Sequence, residues 1–221
     1  MYSKSEIAQA ELLGSGANRY CVISPRDKSI CLKIDLPASQ RQVKNWRQAL
    51  QRFLSQHVTR FNENYIEWIA YQKLKQRINE AELVRFIAPC LELKNNNDKQ
   101  QILSCQLIRN ADGSIAQSLD HHLKNGIILD LSKLNQAIDE LKDWLLKNNI
   151  PLFDLNSGNL VVQYDADKIR LICIDIKSTY KSKEIIPISY WSKKMMHKKI
   201  QRRAERLKNI VQHRQKMMET V

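Results

Sequence analysis

The spacing of apolar residues changes period along this chain, and that change constrains the fold more than any single residue does. Between residues 8 and 35 the pattern belongs to strands. "AQAELLGSG" closes on two glycines, "NRYCVIS" alternates, "PRDK" turns the chain, and "SICLKID" is a second compact strand. After Pro37 the period becomes helical. "SQRQVKNWRQALQRFLSQHV" sets Val43, Trp46, Leu50, Phe53 and Leu54 on one face, and "NENYIEWIAYQKLKQRI" carries Tyr65, Ile66, Ile69, Ala70 and Leu74. Strands return in "LVRFIAPCLELK" and "QQILSCQLI", with a turn at "NNND" between them. "RNADGS" breaks the pattern, and helices dominate from Ser114 to Asn149. Asp130 or Ser132 caps a helix whose Leu134, Ile138, Leu141 and Leu145 keep helical spacing, and Pro151 ends it. A second hairpin follows, "LVVQY" and "IRLICID" about a turn at "DADK", and then a helix, "SYWSKKMMHKKIQRRAERLKNIVQHRQKMM". The order predicts an α+β chain in two parts, residues 1–110 rich in strand and 111–221 mainly helical, with the boundary near Arg109 to Ser114.

The 221 residues are enough for one large domain or two small lobes. No apolar run approaches the ~20 residues that span a bilayer, and the first residues lack the apolar stretch and cleavage site of a secretory signal. The five cysteines, Cys21, Cys31, Cys90, Cys105 and Cys173, show no metal-ligand spacing and sit mostly in apolar runs. They read as buried, reduced thiols of a cytoplasmic protein. The net charge of +13 is unevenly placed: from Lys177 to Val221 thirteen Lys and Arg stand against three Glu, a balance of +10. A basic tail on a nearly neutral body suggests an anionic partner, a membrane surface, a nucleic acid or an acidic lipid head group; a solvated basic helix is the competing reading.

Four features bear on chemistry, and each has a bland alternative. Gly14 and Gly16 in "LLGSGANRYCV" would let backbone N–H groups approach phosphate oxygens, or they make a tight turn. Lys33 lies among apolar residues in "ICLKID", where an unpaired ammonium costs several kcal/mol. It either snorkels from an edge strand or is a phosphate-binding cation held by a carboxylate, with Glu67 the candidate and Glu63 the runner-up. In "PLFDLNSGNLVV", Asp154 and Asn159 are five apart. The pair suits a base and a magnesium ligand, or an Asx-rich turn. Asp175 ends the apolar strand "LICID" and needs a partner, which a metal ion or the next element could supply. Jointly these supply the parts that phosphoryl transfer needs, in one order along the chain.

On these residues the sequence resembles the protein-kinase-like superfamily. "LGSGANRYCV" looks like its Gly-rich loop, "ICLKI" like its lysine strand, "DLNSGN" like its D-x-x-x-x-N catalytic loop and "ICID" like the strand that ends in a metal-binding acid. The chain resembles more closely the small YrbL family of bacteria, regulated by the PhoP system. That similarity runs through "LGSGANRYCVISPRDKSICLKI", "EWIAYQKL", "NNIPLFDLNSGNLVV", "ICIDIKST" and "IPISYWSKKMMHKKIQRR". The resemblance implies a two-lobed protein-kinase-like fold, a small β-rich N-lobe and a reduced helical C-lobe, with ATP in the cleft. Gly14, Ser15 and Gly16 would cover the phosphates, Lys33 with Glu67 would fix them, Asp154 would be the base, and Asn159 and Asp175 would hold Mg2+.

There are departures from the superfamily pattern. Arg19 stands near the place of a third glycine. Phe153 rather than Arg precedes Asp154, Asn156 follows it at the second position, and Ile176 and Lys177 follow Asp175. No activation segment is visible, and that segment normally holds a peptide. The expected acceptor is therefore a hydroxyl on a small or lipid-linked molecule. The expected location is the cytoplasm or the inner surface of the inner membrane, reached through the basic helix. Specific nucleic-acid binding is not expected, because no RNA or DNA motif is present. A pseudokinase used as a regulatory binding module is the alternative.

Overall fold

Residues 2–16, 18–36, 62–95, 100–180 and 192–219 are described by a computed structural model. The helix expected around Val43, Trp46, Leu50, Phe53 and Leu54, residues 96–98 of the "NNND" turn, and Trp191 lie outside these residues. The chain divides into two compact units, Met1–Leu74 with Pro89–Leu107, and Lys75–Ala88 with Ile108–Val221.

The first unit is built on an antiparallel sheet of β1 (Leu12–Ser15), β2 (Arg19–Ile23), β3 (Ile30–Asp35), β4 (Cys90–Asn95) and β5 (Gln101–Gln106). Their order across the sheet is β1-β2-β3-β5-β4. Alternation along the strands gives the sheet two apolar faces. On one, Val22, Leu32, Ile34 and Ile102 pack with Ile7 of α1 (Lys4–Ala8). The other carries Lys33, because Cys21 and Leu103 are its register partners and Cys31 faces Cys105. α2 (Glu63–Lys75) contributes buried Ile66, Ala70, Tyr71 and Leu74, three of them among the residues expected on its face. Asn62 starts the helix: its side-chain oxygen accepts the Asn64 and Tyr65 N–H groups at 2.8 and 3.3 Å, which satisfies donors that a first turn leaves open.

The segment "LVRFIAPCLELK" is not one strand. Its start closes α3 (Glu80–Leu83), which is capped by the Asn79 side chain, and β4 begins only at Cys90. Pro89 has no N–H to give a ladder, so pairing starts after it.

In the second unit α4 (Leu119–Lys124) and α5 (Leu131–Lys147) precede the hairpin of β6 (Leu160–Asp165) and β7 (Lys168–Cys173), and α6 (Lys193–Glu219) follows it. Asp130 is the α5 cap, accepting the Ser132 and Lys133 N–H groups. Leu134, Ile138, Leu141 and Leu145 are all buried, on the stripe the spacing predicts. The helix ends before Pro151 by its own device. Asn149 turns left-handed at φ 50, and the Asn149 and Ile150 N–H groups bond back to Leu146 and Leu145. Ile150 is then buried, which fixes where the next loop starts.

Candidate functional site

Glu67 is the centre of the first unit's polar network. Lys33 Nζ lies 2.5 Å from Glu67 Oε1, and Arg19 donates to Glu67 Oε2 at 2.7 Å. Lys33 is 6% exposed and Glu67 1%, so Lys33 does not snorkel to water. Burial works against the ammonium, but Cys105 and Glu67 more than offset it, and the Lys33 pKa stands well above its ordinary value. Glu63, the other candidate partner, sits 3.6 Å from Arg19 Nε and accepts a hydrogen bond from the Asn18 amide. Asn64, fully buried, accepts from Arg19 at 2.8 Å and donates to the Lys33 and Gln101 carbonyls at 3.0 Å. Asn62 donates to Asp35 Oδ2 at 2.6 Å, so α2 is tied to the exit of β3 as well as to its lysine.

Arg19 is the residue whose part the motifs do not convey, since by sequence it only stands near an absent glycine. A signal for it is nevertheless present: Glu67 falls three residues after Asn64 and four after Glu63, a polar face on the first turns of the helix.

Gly14 and Ser15 belong to β1, opposite Cys21 and Tyr20, and the Gly16 N–H bonds the Arg19 carbonyl at 2.7 Å. Neither Gly14 nor Gly16 has a positive φ. A Cβ on Gly14 would meet nothing within 4 Å, and one on Gly16 only the Arg19 carbonyl oxygen at 3.5 Å. Among the described residues, then, neither backbone conformation nor packing demands glycine at these positions.

In the second unit Asp154 to Asn159 is an organised turn. The Asn156 side-chain oxygen accepts the Gly158 and Asn159 N–H groups at 3.0 and 3.1 Å, and its amide donates to Asp154 Oδ1 at 3.1 Å. Asn159 Nδ2 donates to the Asp154 carbonyl at 3.2 Å, and the Asn159 carbonyl accepts the Ile174 N–H at 3.0 Å. Asn159 thus ties the Asp154 loop to the residue just before Asp175. The loop is the Asx-rich turn that its residues suggest. Asp175 lies two residues past the end of β7. It takes the Lys177 backbone N–H at 3.1 Å and its ammonium at 3.0 Å. Lys199 of α6 sits 3.9 Å over the ring of Phe153, the residue before Asp154, a contact that the sequence did not reveal.

The described residues hold no group of three or more His, Cys, Asp or Glu able to bind a metal. A magnesium ion here would rest on one carboxylate and one amide oxygen. These donors fit it: Asp175 offers hard carboxylate oxygens, and Asn159 spends its nitrogen on Asp154, which leaves its carbonyl oxygen for a cation.

Residues 6–212 match the sequence model of the family described as PhoP regulatory network protein YrbL. No curated protein matches the chain. Among solved structures it is similar to a mutant kinase domain of Mycobacterium tuberculosis PknI, at 13% identity and a TM-score of 0.42, covering 78% of this chain and 59% of that one. The maize SIRK1 (sucrose-induced receptor kinase 1) kinase domain bound to AMP-PNP matches at 15% identity and 0.44, covering 81% and 56%. The apo GRMZM2G135359 pseudokinase matches at 11% identity and 0.41, covering 79% and 62%. The chain therefore spans about three fifths of the length of these kinase structures.

Proposed function

The chain belongs to the YrbL family, and from that premise we propose that it is an ATP- and magnesium-dependent phosphotransferase of the protein-kinase-like kind, passing the γ-phosphoryl group to a hydroxyl acceptor on a small or lipid-linked molecule. The observation that carries the reading is the buried Lys33–Glu67 pair. A chain has little reason to bury an ammonium for stability alone, since a well-packed apolar pair of similar volume often does as well or better. A charge kept there, in the same row across the sheet as Gly14, suits a phosphate.

Lys33, held charged by Glu67, binds phosphate oxygens, and the backbone of Gly14, Ser15 and Gly16 closes on them. Asp154 accepts the proton of the attacking hydroxyl; Asn156 and Asn159 hold it in place. Asn159 and Asp175 would hold Mg2+, which would supply positive charge to neutralise the phosphates. Lys177 pairs with Asp175 and would share that carboxylate with a bound cation.

The test is turnover of ATP with magnesium against a panel of sugar and lipid head-group hydroxyls. Asp154→Asn is expected to leave ATP binding nearly intact and to lower transfer ~10²-fold or more, as loss of a general base does. Equal turnover in that variant would remove Asp154 from the mechanism. The Lys177–Asp175 pair favours a second reading, a pseudokinase that binds nucleotide as a regulatory module. Binding without transfer to any acceptor would establish it.

The reading extends to a partner for α6. Its exposed side carries Lys194, Lys198, Arg202 and Arg206 at four-residue spacing, with exposed Met195 among them. Cations in a row with an apolar side chain suit an anionic bilayer surface, which would hold the protein at the inner membrane. No helix among the described residues is long and apolar enough to cross a membrane.

A further inference from the structure

Four of the five cysteines share one face of the sheet, the face of Lys33. Cys21 is the register partner of Lys33, Cys31 precedes Lys33 by two on the same strand, Cys105 faces Cys31, and Cys90 faces Cys105. They cross β2, β3, β5 and β4 in a row, and all are free thiols.

One pair in this row has the geometry of a bond waiting to form. The Sγ atoms of Cys90 and Cys105 are 3.9 Å apart. The Gln106 N–H bonds the Pro89 carbonyl, so the neighbouring pair, Cys90 and Cys105, falls at a non-hydrogen-bonded position of the ladder, next to a register shift between Cys90 and Glu92. There opposed Cα atoms lie about 4.5 Å apart and side chains approach closely, within the range a disulfide spans. β4 is an edge strand with one neighbour, so its first residue can shift without breaking a second ladder.

We propose that Cys90 and Cys105 form an oxidation site, a dithiol that a small peroxide converts to a cross-strand disulfide beside Lys33. The Cys105 thiolate attacks one oxygen of hydrogen peroxide, gaining an S–O bond and releasing hydroxide, which takes up a proton. The Cys90 thiol then attacks the sulfenic sulfur. The S–S bond forms, the S–O bond breaks and water leaves. The two thiols lose two electrons, and the peroxide becomes two waters. The hydrogen bond that Cys105 shares with Cys90 and the Lys33 ammonium favour the Cys105 thiolate against burial. Cys90 and Cys105 are 5% and 2% exposed, which restricts the oxidant to something near the size of water. Any effect on nucleotide binding rests on the function proposed above; the oxidation itself does not.

The experiment treats the full chain with hydrogen peroxide in the absence of nucleotide, traps remaining thiols on unfolding with N-ethylmaleimide, and maps peptides by mass spectrometry without reduction. Cys21 supplies the internal control for dose: it is only half-buried, and a hydrogen bond from Cys31 draws its thiol down to about 6. At a dose that modifies Cys21, a peptide linking Cys90 to Cys105 is expected to become the main form of both cysteines, and dithiothreitol is expected to reverse it. Cys90→Ser is expected to leave a sulfenic acid on Cys105 that dimedone captures. Modification of Cys21 with no Cys90–Cys105 link in the wild type overturns the proposal. So does a link between Cys105 and Cys31 in its place.

Discussion

At the scale of single residues, Glu67 answers to two cations, Lys33 on one oxygen and Arg19 on the other. This sharing predicts unequal costs. Glu67→Gln leaves the Lys33 and Arg19 charges buried without it and should cost about 3–5 kcal/mol, the range for breaking a buried pair from one side. Lys33→Met keeps the side chain's length and leaves Glu67 paired with Arg19, so it should cost clearly less. Urea unfolding of both variants checks the order; equal losses would mean that Arg19 does not hold Glu67. The need of Lys33 for a partner is legible in the sequence, because apolar neighbours on a strand leave an ammonium few choices. Two candidates on one helical face are legible as well. The choice between them is not, since Glu63 and Glu67 differ only by a turn, and it depends on Arg19 reaching across from β2. Lys199 over Phe153 is illegible for the same reason: it joins residues 46 apart in sequence.

At the scale of elements, the helices with a strong apolar stripe are legible and the short ones are not. α5 carries its buried residues where helical spacing puts them, and its cap is one of the two residues expected. α1 escapes the periodicity although its signal is written in "SKSE": the Ser3 side chain accepts the Glu6 N–H, and Glu6 accepts the Ser3 N–H. Five residues give a periodicity too short to see. On α6, Met196 is buried but Met195 is 46% exposed, because a one-residue step turns the helix by about 100°. The exposed row beside it makes a prediction. The protein should sediment with vesicles containing phosphatidylglycerol and not with phosphatidylcholine alone, and salt should weaken the binding. The combined variant Lys194→Glu, Lys198→Glu, Arg202→Glu and Arg206→Glu should lose it with an unchanged melt. Wild type that ignores anionic vesicles, or prefers duplex DNA at equal salt, would remove the membrane as the partner of α6.

At the scale of the whole molecule, the Lys33–Glu67 pair belongs to the β-rich unit, and the Asp154 loop and Asp175 belong to the helical one. The α+β class is legible because strands and helices are segregated along the chain. The division is harder to place, since Lys75–Ala88 joins the second unit from within the first unit's sequence. Such a detour leaves no change of composition to mark it. The order of glycines, lysine, acid, amide and acid is legible, because each lies in a short local motif.

The central claim is that these motifs bind one magnesium nucleotide. Its most direct test is thermal denaturation with ATP, with and without magnesium, for the wild type and Asp175→Ala. Nucleotide at a hundred times its Kd stabilises the folded state by about 2.7 kcal/mol. For a chain of this size that shifts the melt by roughly 5–10 °C. The account predicts such a shift in the wild type with magnesium present, and loss of its magnesium-dependent part in Asp175→Ala. A wild-type melt that ATP and magnesium leave in place would contradict it.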